Sequence, residues 1–149
     1  MAARDPVREI AEGCIAVRVR LLNRLVTGVC DAGLRGHDVS VAQVNILVAV
    51  GHSGPHTPSE VAARLVMDRS TLSRDVEALL AKGWLRRLPG ADRRSHQLEL
   101  TPAGREKVAS ILPAWRAGQA ELRKALGADN LGGVFAAADR VWASLAGQE

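Results

Sequence analysis

The stretch Thr57-Pro58-Ser59-Glu60-Val61-Ala62-Ala63-Arg64-Leu65, followed by Asp68-Arg69-Ser70-Thr71-Leu72-Ser73-Arg74-Asp75-Val76-Glu77-Ala78-Leu79-Leu80, decides the fold. Thr57 and Glu60 have the spacing of a capping box with proline at the first helical position, so a short helix starts there and runs to about Leu65 or Val66. Shortly after, Asp68 caps a second helix. It buries Leu72, Val76, Leu79 and Leu80, spaced i, i+4, i+7, i+8. Two capped helices across a tight turn are the pattern of a helix-turn-helix. Gly83, after Lys82, stands where a left-handed residue ends the second helix, and Trp84 or Leu85 covers its last turn. Two short strands are expected next, over Trp84–Leu88 and Ser95–Leu100, joined by the loop Pro89-Gly90-Ala91-Asp92-Arg93-Arg94.

Outward from this stretch the chain reads as helix on both sides. Asp5-Pro6 opens a first long helix that ends near Ala32-Gly33. It carries two apolar stripes, Ile10, Cys14, Val17, Leu21 and Leu25 beside Ile15, Val19, Leu22, Val26 and Val29. One small domain does not cover both, which points to burial against a second subunit. Ser40-Val41-Ala42-Gln43 is a further capping box, opening a helix that Gly51 to Pro55 breaks. Thr101-Pro102 starts a long helix toward Leu126, with Pro113 expected to kink or break it. Gly127 ends it, and a last helix from about Asn130 to Leu145 places Val134, Phe135, Ala138, Val141, Trp142 and Leu145 on one face. The expected fold class is mainly α: a winged helix-turn-helix over 40–101 with a two- to three-stranded wing sheet, and long N- and C-terminal dimerisation helices over 5–35 and 102–146. All belong to a single domain, 1–149.

Composition agrees with that architecture. Of 149 residues, 47% are hydrophobic, yet there is no Tyr and one Phe, so Leu, Val, Ala and Ile must build the core. The net charge of +4 suits a polyanionic partner. Its placement is more telling: from Arg64 to Arg105 nine Lys/Arg face five Asp/Glu. Cys14 and Cys30, on one continuous helix, would stand about 24 Å apart, beyond disulfide reach. With no apolar leader or spanning segment visible, a reducing cytoplasm is the expected setting.

The chemistry of the central stretch is that of duplex DNA recognition. A helix fits the major groove, where Arg74 can take two acceptors of guanine. Arg69 and the small hydroxyls of Ser70, Thr71 and Ser73 share its exposed face. Thr57 and Ser59, at the start of the preceding helix, can offer backbone N–H groups to a phosphate. Arg93 and Arg94 at the loop tip suit the minor groove, with Asp92 bracing the loop. A Ser/Thr/Arg face alone is more often plain solvated surface; order, spacing and charge bias together carry the reading.

The run Asp68-Arg69-Ser70-Thr71-Leu72-Ser73-Arg74, with Leu79, Gly83-Trp84-Leu85, Asp92-Arg93-Arg94 and Leu100-Thr101-Pro102-Ala103-Gly104-Arg105, resembles the MarR family of bacterial transcription regulators. The resemblance covers about Ile10 to Leu145. It implies a homodimer joined by the first helix and the last two, bound to a pseudo-palindromic operator and acting as a repressor relieved by a small ligand or an oxidant. The stretch Gly90 to Asp92 is short for the family. A small-molecule effector, such as an aromatic acid, would be held between the dimerisation helices and the DNA-binding lobe, at Val17, Leu21, Leu47, Trp115 and Arg116.

Peroxide-sensing relatives of the OhrR type carry a first-helix cysteine near the position of Cys14, but they hold it with tyrosines, which this chain lacks. Cys14 reads better as a small core residue. His37, Asp38, His52 and His56 match no compact zinc spacing, so no metal or other cofactor is expected. No phosphate-cradling loop, nucleophile elbow or HExxH helix points to an enzyme. A nonspecific architectural DNA-binding protein of the same fold remains the non-regulatory alternative, separable by its lack of sequence preference.

Overall fold

A computed structural model describes residues 5–91 and 95–146, with the side chains of the last two of these left aside. Its elements are α1 (Pro6–Gly13), α2 (Ile15–Gly33), α3 (Val41–Ser53), α4 (Pro58–Leu65), α5 (Arg69–Ala81), β1 (Leu85–Pro89), β2 (His96–Leu100), α6 (Pro102–Leu126) and α7 (Ala128–Ala146).

The local signals act as expected in the middle of the chain. Ser40 and Gln43 close a full capping box on α3, and Thr57 and Glu60 do the same on α4. Asp68 accepts the Thr71 N–H at 2.8 Å to start α5. That helix ends on Gly83 at φ 71, with Trp84 N–H bonded to Leu79 O and Gly83 N–H to Leu80 O. This crossed pair of bonds is a Schellman cap.

β1 and β2 form an antiparallel ribbon in which Leu85 faces Leu100 and Pro89 faces His96. His56 adds a single bridge to Leu98, a rudiment of a third strand. Leu72, Val76 and Leu79 on α5 join Ile46, Leu47 and Val50 of α3, Val61 of α4, and Leu85, Leu98 and Leu100 of the ribbon in one core. Each fully buried aliphatic chain contributes about 1.5–3 kcal/mol, so this cluster holds the lobe together. A smaller cluster of Leu34, Val44 and Ile111 joins the lobe to the helices outside it.

Four expectations are corrected. The first helix is not continuous: Cys14 is extended, at φ −69 and ψ 110, and separates α1 from α2. Gly13 lowers the cost of leaving helix there. Arg18 reaches back to the carbonyls of Cys14 and Glu12 that the break exposes. Cys14 is therefore half-buried at a junction, not a core residue.

α3 runs through Gly51 to Ser53, since its inner face stays packed on β2; a Cβ at Gly51 would meet the Leu100 side chain at 2.6 Å. α6 passes Pro113 unbroken. Proline there is exposed and removes one donor, while buried Ile111, Gly118 and Leu122 anchor both halves. α7 starts at Ala128, two residues early, and accommodates Gly132 and Gly133.

Candidate nucleic-acid interface

The exposed face of α5 is set by its buried one. With Leu72, Val76 and Leu79 inward, Arg69, Ser70, Ser73, Arg74 and Glu77 are solvent-facing and Thr71 is half-buried. The N-cap uses part of this face. Asp68 accepts the Ser70 hydroxyl at 2.6 Å, the Thr71 hydroxyl at 2.6 Å and the Thr71 N–H. These donors, Ser70 first, hold the Asp68 carboxyl well below the usual carboxylate range. The protons of Ser70 and Thr71 are thus committed to the cap.

The remaining cations sort sharply. Arg64 donates to Ser53, Arg86 pairs with Glu99, Arg87 with Glu77, and Lys82 with Asp38. Among the described residues from Thr57 to Leu100, Arg69 and Arg74 are the guanidinium groups with no hydrogen-bond or ion-pair partner. Arg86–Glu99 and Arg87–Glu77 are largely exposed pairs of the kind worth about 0–1 kcal/mol; the first links the two strands of the ribbon, and the second sets the ribbon on α5. Sequence reading missed both pairs; opposite charges at facing positions of a hairpin would have suggested Arg86 and Glu99.

At the start of α4 the capping box decides which donors are left. Glu60 accepts the Thr57 N–H at 2.7 Å and the Thr57 hydroxyl at 2.9 Å. Those bonds, the backbone one first, lower the Glu60 pKa and keep it ionised. Thr57 is therefore spent, Pro58 has no donor, and exposed Ser59 offers the free group at this terminus. Asp92, Arg93 and Arg94 lie outside the described residues. The strands leading to them are closed by the Gly90 N–H on Ser95 O at 3.1 Å.

The residues expected to line an effector pocket differ in exposure in the single chain. Leu47 is wholly buried in the lobe core, whereas Val17, Leu21, Trp115 and Arg116 are exposed. An open cleft of about 400 Å³ lies elsewhere, at the α2–α3 connection, and includes Asp31, Arg35, Asp38, Gln43 and Lys82. Cys30 is half-buried, and burial, then Asp31, pushes its thiol pKa up. Among the described residues no group of His, Cys, Asp and Glu is arranged to hold a metal ion, and no helix is long and apolar enough to cross a membrane.

With this geometry in place, comparison with known proteins is decisive. A family model described as MarR family matches residues 37–95, from the α2–α3 connection through the helix-turn-helix and β1. The transcriptional regulator MosR of M. tuberculosis, solved in complex with DNA, is 30% identical, with a TM-score of 0.69 over 86% of this chain and 98% of that one. The chain belongs to the MarR family. The multiple antibiotic resistance protein MarR of Salmonella typhimurium is 37% identical over 68 residues, 45% of this chain and 47% of that protein. The aligned stretch thus spans about half the length of the curated relative.

A mutant MarR from E. coli complexed with operator DNA superimposes with a TM-score of 0.78 over 89% of this chain and 96% of that one. At 24% identity it attests the shared fold. The part of this MarR-family chain that the family model matches is also the part where local signals and core packing agree best.

Proposed function

We propose that this chain is a DNA-binding transcription regulator that reads a pseudo-palindromic operator as a homodimer, with α5 in the major groove and the ribbon reaching toward the minor groove. One observation carries the reading: Arg69 and Arg74 stand unpaired on the exposed face of α5 while Arg64, Lys82, Arg86 and Arg87 are engaged within the protein. Desolvated phosphate or guanine acceptors would give them the partners they lack. Arg74, one turn inside α5, suits base reading, and Ser73 lies beside it. Arg69, at the helix start, and Ser59 suit phosphates. Arg93 and Arg94, with Asp92 as brace, take the minor-groove role by the family resemblance.

Repression relieved by a small ligand is the regulatory form this family membership favours. Four of the five residues assigned to the effector face solvent in the single chain, so a second protomer would have to enclose the ligand there.

The test is selection of binding sites from a random duplex library, followed by titration of the selected site. A regulator prefers its site over random DNA by about a thousandfold or more, whereas an architectural protein does not. Arg74→Ala is expected to cost about 1–3 kcal/mol of binding and to relax the preference at one position of each half-site. Failure to enrich any sequence would remove the proposal.

A further inference from the structure

Two lysines anchor the connection between α2 and α3, one from the end of α5 and one from α6. Lys82, the C-cap of α5, donates to the carbonyl of Asp38 and pairs with Asp38 Oδ2 at 3.1 Å. Lys107, on the second turn of α6, donates to the carbonyl of His37. Both ammonium groups also stand over the Trp84 ring, 4.9 and 4.8 Å from its centroid. Two cations sharing one ring repel each other. The negative π face, two backbone carbonyls and the Asp38 carboxylate offset that repulsion. Asp38 itself lies at φ 52, in the left-handed region, which is uncommon for a side-chain-bearing residue. The connection is thus held in a special conformation where the lysines meet it.

The placement matters because the α2–α3 connection leads from the outer helices into the DNA-binding lobe. α2 packs against α6, and Val41 N–H is held by Asp31 of α2 at 2.7 Å. Gln43 Nε2 on α3 donates to Asp75 Oδ1 on α5 at 3.2 Å, a polar tie between these two helices.

We propose that Lys82, Lys107 and Trp84 form a latch that fixes the angle of α5 against the α2–α6 scaffold, and so sets which half-site spacing a homodimer accepts. They act as positioning residues, and the proposal rests on the operator-reading function above. Adding one base pair between half-sites rotates the second by about 35° and moves it by about 3.4 Å. A rigid lobe resists that change, while one freed of its latch follows it.

The test uses duplexes bearing the site selected by the unaltered protein, with the spacer shortened or lengthened by one or two base pairs. Lys82→Met/Lys107→Met keeps the apolar stems against Trp84 but removes both charges and all six donors. The unaltered protein should disfavour a one-base-pair change by about tenfold, the cost of a mismatch, and the double variant by about threefold or less. Losing two positive charges weakens binding at every spacing alike and cancels in this ratio; base preference within each half-site stays unchanged. Lys82→Met alone should give an intermediate ratio, and it serves as the reading if the double variant does not fold. A folded variant with the original spacing preference overturns the latch, as does indifference to spacing in the unaltered protein. An unaltered protein that selects no sequence overturns the DNA-reading function beneath it.

Discussion

Asp68 shows how one side chain shapes the candidate interface. By holding the hydroxyls of Ser70 and Thr71 it starts α5 and takes both protons out of the exposed face on which Ser73 and Arg74 stand. Because its folded pKa lies below the unfolded value, its charge contributes stability above about pH 4, and that contribution is lost as pH falls through the folded pKa. In urea titrations, the difference between the unaltered protein and Asp68→Asn should hold constant from neutral pH to about pH 5 and shrink below about pH 4. A difference that stays flat into the acid range would show that the hydrogen bonds do not favour the carboxylate. The capping role of Asp68 was legible in the sequence. Its capture of the two hydroxyls was not, since capping spacing says nothing about where neighbouring side chains turn.

Among the elements, α6 shows what a motif encodes. The step Leu100-Thr101-Pro102-Ala103-Gly104 was legible as a helix start, and Thr101 does accept the Gly104 N–H at 3.0 Å. The reason for glycine is tertiary: a Cβ there would lie 2.2 Å from the Trp84 carbonyl oxygen. That carbonyl cannot withdraw easily, because it accepts the Thr101 N–H at 3.1 Å, and the Thr101 hydroxyl holds the neighbouring Gly83 carbonyl at 2.7 Å. Gly104→Ala should therefore destabilise the protein by about 1–3 kcal/mol, seen as a lower urea midpoint at unchanged slope. An unchanged midpoint would mean that the contact is looser than drawn. The first helix breaks at Cys14, and α6 continues through Pro113. The carbonyls freed at Cys14 find Arg18, whereas the donor missing at Pro113 lies on an exposed turn of a helix anchored by buried Ile111, Gly118 and Leu122.

Across the whole molecule, the single chain leaves too much apolar surface uncovered. Val7, Ile10, Ile15, Val17, Val19 and Leu21 are exposed on α1 and α2, as are Val134, Phe135, Val141 and Trp142 on α7. Patches of this extent mark interaction surfaces, and a second copy of the chain supplies matching apolar faces. The protein should therefore sediment at twice its 15.9 kDa mass. Phe135→Glu/Val141→Glu should give a folded monomer with much weaker operator binding, since these side chains contribute little to the core of one chain. A monomeric unaltered protein would remove the dimer from the proposal.

The sequence by itself determined the elements whose signals lie within a few residues: the caps at Ser40, Thr57, Asp68 and Thr101, the glycine stop at Gly83, and the periodic face of α5. Each depends on bonds between near neighbours, so spacing is enough to find it. Only the tertiary structure decided which groups remain free. Arg86 and Arg87 look like Arg69 and Arg74 by residue type, but the ribbon sets Arg86 opposite Glu99 and carries Arg87 to Glu77 of α5. Lys82 and Lys107 meet on Trp84 for the same reason. Charge is a property of the residue, whereas a partner is a property of the fold.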